Sequence, residues 1–254
     1  MSAAKHGFRD IAKLKNIHRG KDIWIVGSGP TLNYVDKKFF DNKITLGINH
    51  IYKWFSCDYV VCKDFAETDR YTEVWKDLIP GTDYNPDGKI KLLLSEYCAG
   101  QYAAPHNSEY VEPRSNFHMF THNDNSAAGT RNPDYSLKLD FIDKKSQTII
   151  CLKSTLTTAM HLAAYMGAEN IIISGCDNGE IDGNLYVKGY VQSHWKTGGN
   201  WPRSKINGWL AGIVEINVTV RDKIIKEYGC NIYSLNPFIN LDLENHEYIP
   251  MRLK

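Results

Sequence analysis

Lys21-Asp22-Ile23-Trp24-Ile25-Val26-Gly27-Ser28-Gly29-Pro30-Thr31-Leu32 is the stretch on which the fold turns. Its apolar run, Ile23 to Val26, predicts a strand covered on both faces, as inner strands of parallel sheets are. Gly27 and Gly29 then allow a tight turn and close approach of the backbone to a ligand. Pro30 has no N–H to donate and suits the first turn of a helix. Ser28 or Thr31 has the hydroxyl to cap that helix. Amides at a helix start, with nothing bulky before them, form an anion cradle. The stretch is neither a full G-x-G-x-x-G fingerprint nor a Walker loop, since no Gly-Lys-Ser/Thr follows. A plain strand–turn–helix and a phosphate-binding turn both fit it.

Outward from this stretch, strands alternate with helices. Further strands are expected at 44–48, 58–62, 89–94, 148–152, 170–174 and 231–235. Helices are expected at 32–40, 65–78, 154–167 and 206–228, the last two ended by Gly167 and Gly229. Phe8, Ile11, Leu14 and Ile17 recur at helical spacing and predict a short helix within 1–20. The alternation implies an α/β fold: a doubly wound, mostly parallel, Rossmann-like sheet in a single domain spanning 1–254. Residues 95–146 lose apolar periodicity and collect Asn, Ser, His, Gly and Pro. So long an irregular stretch predicts an inserted lid, with Tyr97, Tyr102, Tyr110, Phe117 and Phe120 closing over a ligand. His106, His118 and His122 fall there in no standard metal-ligand spacing, and loop histidines in solvent are expected.

Composition narrows the function classes. A net charge of +1 argues against general nucleic-acid binding and against a polybasic membrane anchor. No apolar run approaches the ~20 residues of a membrane span, and the N-terminus has no signal-peptide core. The six cysteines form no C-x-x-C pair. Free thiols in a reducing, cytoplasmic setting are the expectation. The 15 tyrosines and six tryptophans exceed the needs of a minimal core, so some should line a cleft. An oligomer is compatible with all of this.

Two blocks carry a resemblance. Gly27-Ser28-Gly29-Pro30-Thr31-Leu32 after a strand is one. The other is Ser154-Thr155-Leu156-Thr157-Thr158-Ala159, a helix through Met166-Gly167, then Ile171-Ile172-Ile173-Ser174-Gly175-Cys176-Asp177. Together they resemble the bacterial sialyltransferases of glycosyltransferase family 42, and a family similar to an archaeal hydroxymethylpterin diphosphokinase. The matches cover about half the chain, in pieces. The resemblance implies a nucleotide site built from Gly27, Ser28, Gly29, Pro30, Thr31, Asn49, Asp64, Ser154 and Thr155. It implies that Asn49 and Thr155 contact the nucleotide and that Tyr186 lies on the transferred phosphate. Asp177 ends the Gly-x-Asp strand, and His194 matches the general base. Two departures stand out: Asp64 replaces an Asn of the sialyltransferases, and their Arg before Thr155 is missing, with Lys153 nearest. On the residues alone, Asn49 and Asp64 also read as helix caps, and His194 and Tyr186 as packing groups.

Two activities follow as expectations. The first is transfer of a sialic-acid-like sugar from a nucleotide-activated, CMP-linked donor to a saccharide or other hydroxyl acceptor. His194 would act as base, and no metal or other cofactor would be required. The second is a diphosphokinase-like phosphotransfer, with Asp64 and Asp177 on Mg²⁺ and Lys63 or Lys196 on the phosphates of a nucleoside triphosphate. A nucleotide-binding module without chemistry is a third.

Overall fold

The computed structural model describes residues 8–63, 68–95, 114–122, 142, 144–145, 148–150, 152, 154–177, 184, 186–190 and 203–235. Among them, nine strands form one sheet: β1 (Arg9–Asp10), β2 (Lys21–Val26), β3 (Ile44–Ile48), β4 (Tyr59–Cys62), β5 (Lys91–Ser95), β6 (Phe117–His122), β7 (Thr148–Ile149), β8 (Ala168–Ser174) and β9 (Asn231–Ser234). Their spatial order is β1-β6-β5-β4-β3-β2-β8-β9, with β7 paired to the end of β6. Every pairing is parallel. The helices are α1 (Thr68–Asp77), α2 (Thr155–Tyr165) and α3 (Arg203–Tyr228), and short 3-10 turns lie between the strands that precede α1. The fold is therefore α/β and doubly wound, as the alternation implies. None of the described helices is long and apolar enough to cross a membrane.

Each face of the sheet has its own core. One buries Ile23, Ile25, Tyr59, Val61, Leu93 and Phe120 under α2 and α3. The other buries Val26, Val60, Leu92, Leu94, Phe117 and Met119 under α1 and the 3-10 turns. Such two-sided burial is what the unbroken apolar runs encode. From β2 the chain walks outward through β3, β4 and β5. It later returns to the other side of β2 to add β8 and β9. The strand order therefore reverses between β2 and β8, where an open α/β sheet has its crevice.

Helix α2 is buried along its whole length, from Leu156 to Tyr165, because it lies between the sheet and α3. His161 sits inside it without strain. The Ile150 N–H donates to its Nδ1 at 3.0 Å, so the ring proton is on Nε2, 2.8 Å from the Tyr228 hydroxyl. Burial pushes its pKa down to about 3 from an ordinary 6.5. The ring's contribution to stability is thus complete above pH 6.5 and is lost as pH falls toward 3. His161→Phe, which orphans both partners, is expected to cost about 2–4 kcal/mol at neutral pH. It should also flatten the fall in stability below pH 6.5, read as urea midpoints across pH. A wild-type acid slope in the variant would refute this.

Several expectations need correction. Within the presumed lid at 95–146, Phe117–His122 is β6, between β5 and β1. Phe117 and Phe120 are core residues and His118 is buried. The helix foreseen in 1–20 is β1 followed by a 3-10 turn, Ile11–Leu14, and Ile17 is exposed. The helix foreseen at 32–40 is two 3-10 turns, Pro30–Tyr34 and Lys37–Phe40. Asp36 breaks it by accepting from Lys38 N–H and starting the second turn.

Candidate functional site

The exits of β2 and β8 are joined beyond the sheet. Gly27 N–H donates to Ser174 C=O at 2.9 Å and Gly29 N–H to Gly175 C=O at 2.6 Å. A Cβ on Gly27 would lie 2.4 Å from the Gly175 oxygen, and one on Gly29 would lie 2.3 Å from Asp177 Oδ2. Both glycines are therefore required by the facing loop.

The expected capping is corrected. Neither Ser28 nor Thr31 caps the Pro30–Tyr34 turn. Asp177 does so from across the crevice: its Oδ2 accepts from Thr31 N–H at 2.7 Å, and its two oxygens accept from the Thr31 hydroxyl at 2.8 and 2.7 Å. The protein's own carboxylate thus holds the amide that a phosphate would have used. What the crevice offers a ligand is a half-buried carboxylate. Burial raises the Asp177 pKa from an ordinary 3.8 to about 6, and the bonds from Thr31 only partly oppose it.

A raised acid pKa fixes the sign of the pH effect. The contribution of Asp177 to stability is complete below pH 3.8 and is lost as pH rises through about 6. Asp177→Asn keeps an acceptor for Thr31 and cannot ionise. It is expected to remove that slope and to match or exceed the wild type at neutral pH by about 1–3 kcal/mol. Chemical denaturation at a series of pH values checks this, and an unchanged slope in the variant would refute it.

Tyr186 reaches the same place. Val187 N–H donates to Ser28 C=O at 2.9 Å and Lys188 N–H to Asn33 Oδ1 at 2.7 Å, and the Val187 side chain is buried. These contacts pin 186–190 over the 27–34 turn. The Tyr186 ring lies tilted against Tyr190, 5.5 Å between centroids. Asn49 stands at the end of β3, the neighbour of β2, in the left-handed region at φ 53°. Its Oδ1 is buried without a hydrogen-bond partner. A left-handed Asn with an unpartnered buried amide oxygen is a feature that the packing of the rim alone does not explain.

The start of α2 contributes less than its sequence suggests. Ser154 Oγ accepts from Leu156 N–H as the N-cap. Thr157 and Thr158 are buried and donate to Ser154 C=O and Ile150 C=O. Thr155 is left as the partly exposed hydroxyl of the four. At the end of β4, Lys63 is 6% exposed, and its carbonyl accepts from Ser95 Oγ at 2.9 Å. Asp64, Lys153, His194 and Lys196 lie outside the described residues.

No family model matches this chain, and no curated protein or solved structure does. The family resemblance therefore rests on the two sequence blocks alone, and the chemistry on the geometry.

That geometry is a rim where Asp177, the Gly27–Thr31 turn and Tyr186 meet, with Asn49 on the adjoining strand. Among the described residues no three His, Cys, Asp or Glu groups gather as a metal site. The described cysteines, Cys57, Cys62, Cys176 and Cys230, are free thiols. Cys176 adjoins Asp177, but burial and that carboxylate push its pKa well up, so it is no nucleophile at neutral pH.

Proposed function

We propose that this chain is a glycosyltransferase that moves a sialic-acid-like sugar from a CMP-linked donor to a saccharide or other hydroxyl acceptor. The observation that carries the reading is the convergence of Asp177, Tyr186 and the Gly27–Thr31 turn at the β2–β8 reversal. Nucleotides bind open α/β sheets at such reversals. In this reading Asn49 Oδ1 accepts from an amino or hydroxyl group of the nucleoside, and the Asp177 carboxylate takes a ribose hydroxyl. The phosphate rests against the Tyr186 hydroxyl and Ser28, away from the amide that Asp177 occupies. His194, by the family resemblance, removes the acceptor proton. The acceptor oxygen then bonds to the anomeric carbon, the bond from that carbon to the phosphate oxygen breaks, and CMP leaves.

Buried Lys63 favours a second reading, a phosphotransferase of the diphosphokinase type. An ammonium at this rim suits a polyphosphate, with Asp64 and Asp177 on Mg²⁺. The cost is that Asp177 must release Thr31. Calorimetry and thermal shift with CMP, CDP, UDP, ATP and GTP, each with and without Mg²⁺, separate the two. CMP in hundredfold excess over its dissociation constant is expected to add about 2.7 kcal/mol of stability without metal. Stabilisation by ATP and Mg²⁺ alone would overturn the transferase reading.

A further inference from the structure

At the opposite, amino end of the same sheet lies a cavity of about 470 Å³. Register explains its lining. Tyr59 pairs with Lys91, Leu93 with His118, and His118 with Arg9. Paired residues, and residues two apart on one strand, share a face. Arg9, His118, Lys91 and Tyr59 therefore stand side by side at the mouth of one face. His18 joins them, its Nε2 2.8 Å from the Tyr59 hydroxyl, and Lys89 stands at the edge.

Arg9, Lys89 and Lys91 line the cavity with one carboxylate, Asp58, and Lys89 Nζ is already paired with Asp87 at 2.6 Å. Asp10 is engaged by Ala12 N–H at 2.8 Å, and Asp58 Oδ2 by Thr45 N–H and hydroxyl at 2.8 and 3.0 Å. Among the described residues, neither Arg9 nor Lys91 has a carboxylate partner; Lys91 Nζ lies 4.9 Å from the Tyr59 ring centre. His118 is 3% exposed, yet its Nδ1 has no hydrogen-bond partner. Burial first, then Arg9, Lys91 and Lys13, hold its pKa down to about 4, with the Asp10 backbone opposing. The ring is therefore neutral at pH 7, and His118 stands among the cavity's lining residues with its Nδ1 unpartnered.

The geometry points to a binding site for a small phosphate, inorganic or a monoester, whose oxygens contact Arg9 and Lys91 and whose P–OH donates to His118 Nδ1. Cations account for an anion, but the neutral nitrogen narrows the class. It needs a donor, and a phosphate monoester, with a second ionisation near pH 6, keeps a share of its protons at neutrality. Sulfate and carboxylates have no proton left to give there. The cavity volume suits a small molecule. The site is independent of the proposed transferase, because it lies at the other end of the strands.

The test is titration of the full chain with inorganic phosphate at pH 7. Calorimetry follows binding, and nitrogen NMR of labelled histidine follows the His118 ring. Saturable heat, together with a saturable change at the His118 ring, is the expected result. Arg9→Gln and Lys91→Gln should each weaken binding by roughly tenfold, and sulfate should bind more weakly than phosphate. Arg9 is exposed on an edge strand, so its variant keeps the test available should a change at buried His118 prevent folding. The assignment is overturned by absence of a saturable response, by equal affinity for sulfate, or by binding that survives both variants and disappears in Asp177→Asn.

Discussion

Gly27→Ala is expected to destabilise the protein by about 2–4 kcal/mol, although it adds a single methyl group. The new Cβ would meet the Gly175 carbonyl oxygen at 2.4 Å and Cys176 Sγ at 2.7 Å. Gly175 cannot retreat easily. It is held at φ +63°, with Leu32 packed where its own Cβ would be. The clash therefore forces β2 and β8 apart at the sheet's centre, breaking the bonds from Gly27 and Gly29. Gly29→Ala should be milder. The three atoms nearest its Cβ all belong to the Asp177 side chain, which can swing off Thr31 into solvent. Urea denaturation of the two variants should rank them in that order. A Gly27→Ala protein as stable as the wild type would show that the loops are not locked together.

His194→Ala is expected to lower turnover with a CMP-linked donor by roughly 10²–10⁴-fold, with little change in nucleotide affinity. The rate–pH profile should lose an ionisation near neutrality. Asp64→Asn should be mild by comparison, because the resembling transferases carry an amide there. Under the phosphotransferase reading the effects exchange places, with Asp64→Asn abolishing Mg²⁺-dependent activity and His194→Ala costing little. Near-normal turnover in His194→Ala beside an inactive Asp64→Asn would end the transferase proposal. Asp177→Asn adds a third measurement. It should weaken CMP binding more above pH 6 than below, since Asp177 carries its charge chiefly there.

The sheet was legible wherever a strand is apolar on both faces. The boundaries expected for β3 are those found, Ile44–Ile48. β2 and β8 announce themselves by runs of isoleucine and valine ending in glycine. β6 was not legible, because its face toward the cationic cavity begins with a histidine. His118 breaks the apolar run between Phe117 and Met119, and turn-forming sequence surrounds the strand. That same histidine, counted among solvated loop residues, is what makes the amino-end cavity specific. The rim residues Gly27, Gly29 and Asp177 were expected to converge and do so, but the bond that joins the two loops was not legible. The cap on Thr31 comes from a residue 146 positions away, and capping rules look only along the local chain. The orphaned amide of Asn49 and the use of Ser154, Thr157 and Thr158 as internal ties depend on tertiary neighbours in the same way.

The pairing of β2 with β8 also sets a timetable for the nascent chain. Ile23 meets its partner Ile171 only after 148 further residues have been made. Until then β2 can pair with β3 on one side, while its other edge offers unpaired amides and carbonyls along Ile23-Trp24-Ile25-Val26. An apolar, open edge of this kind recruits other strands. Contacts so distant in sequence also form slowly. Ribosomes stalled before residue 168 would therefore release a half-sheet prone to self-association, and this protein should depend on a holding chaperone late in its synthesis.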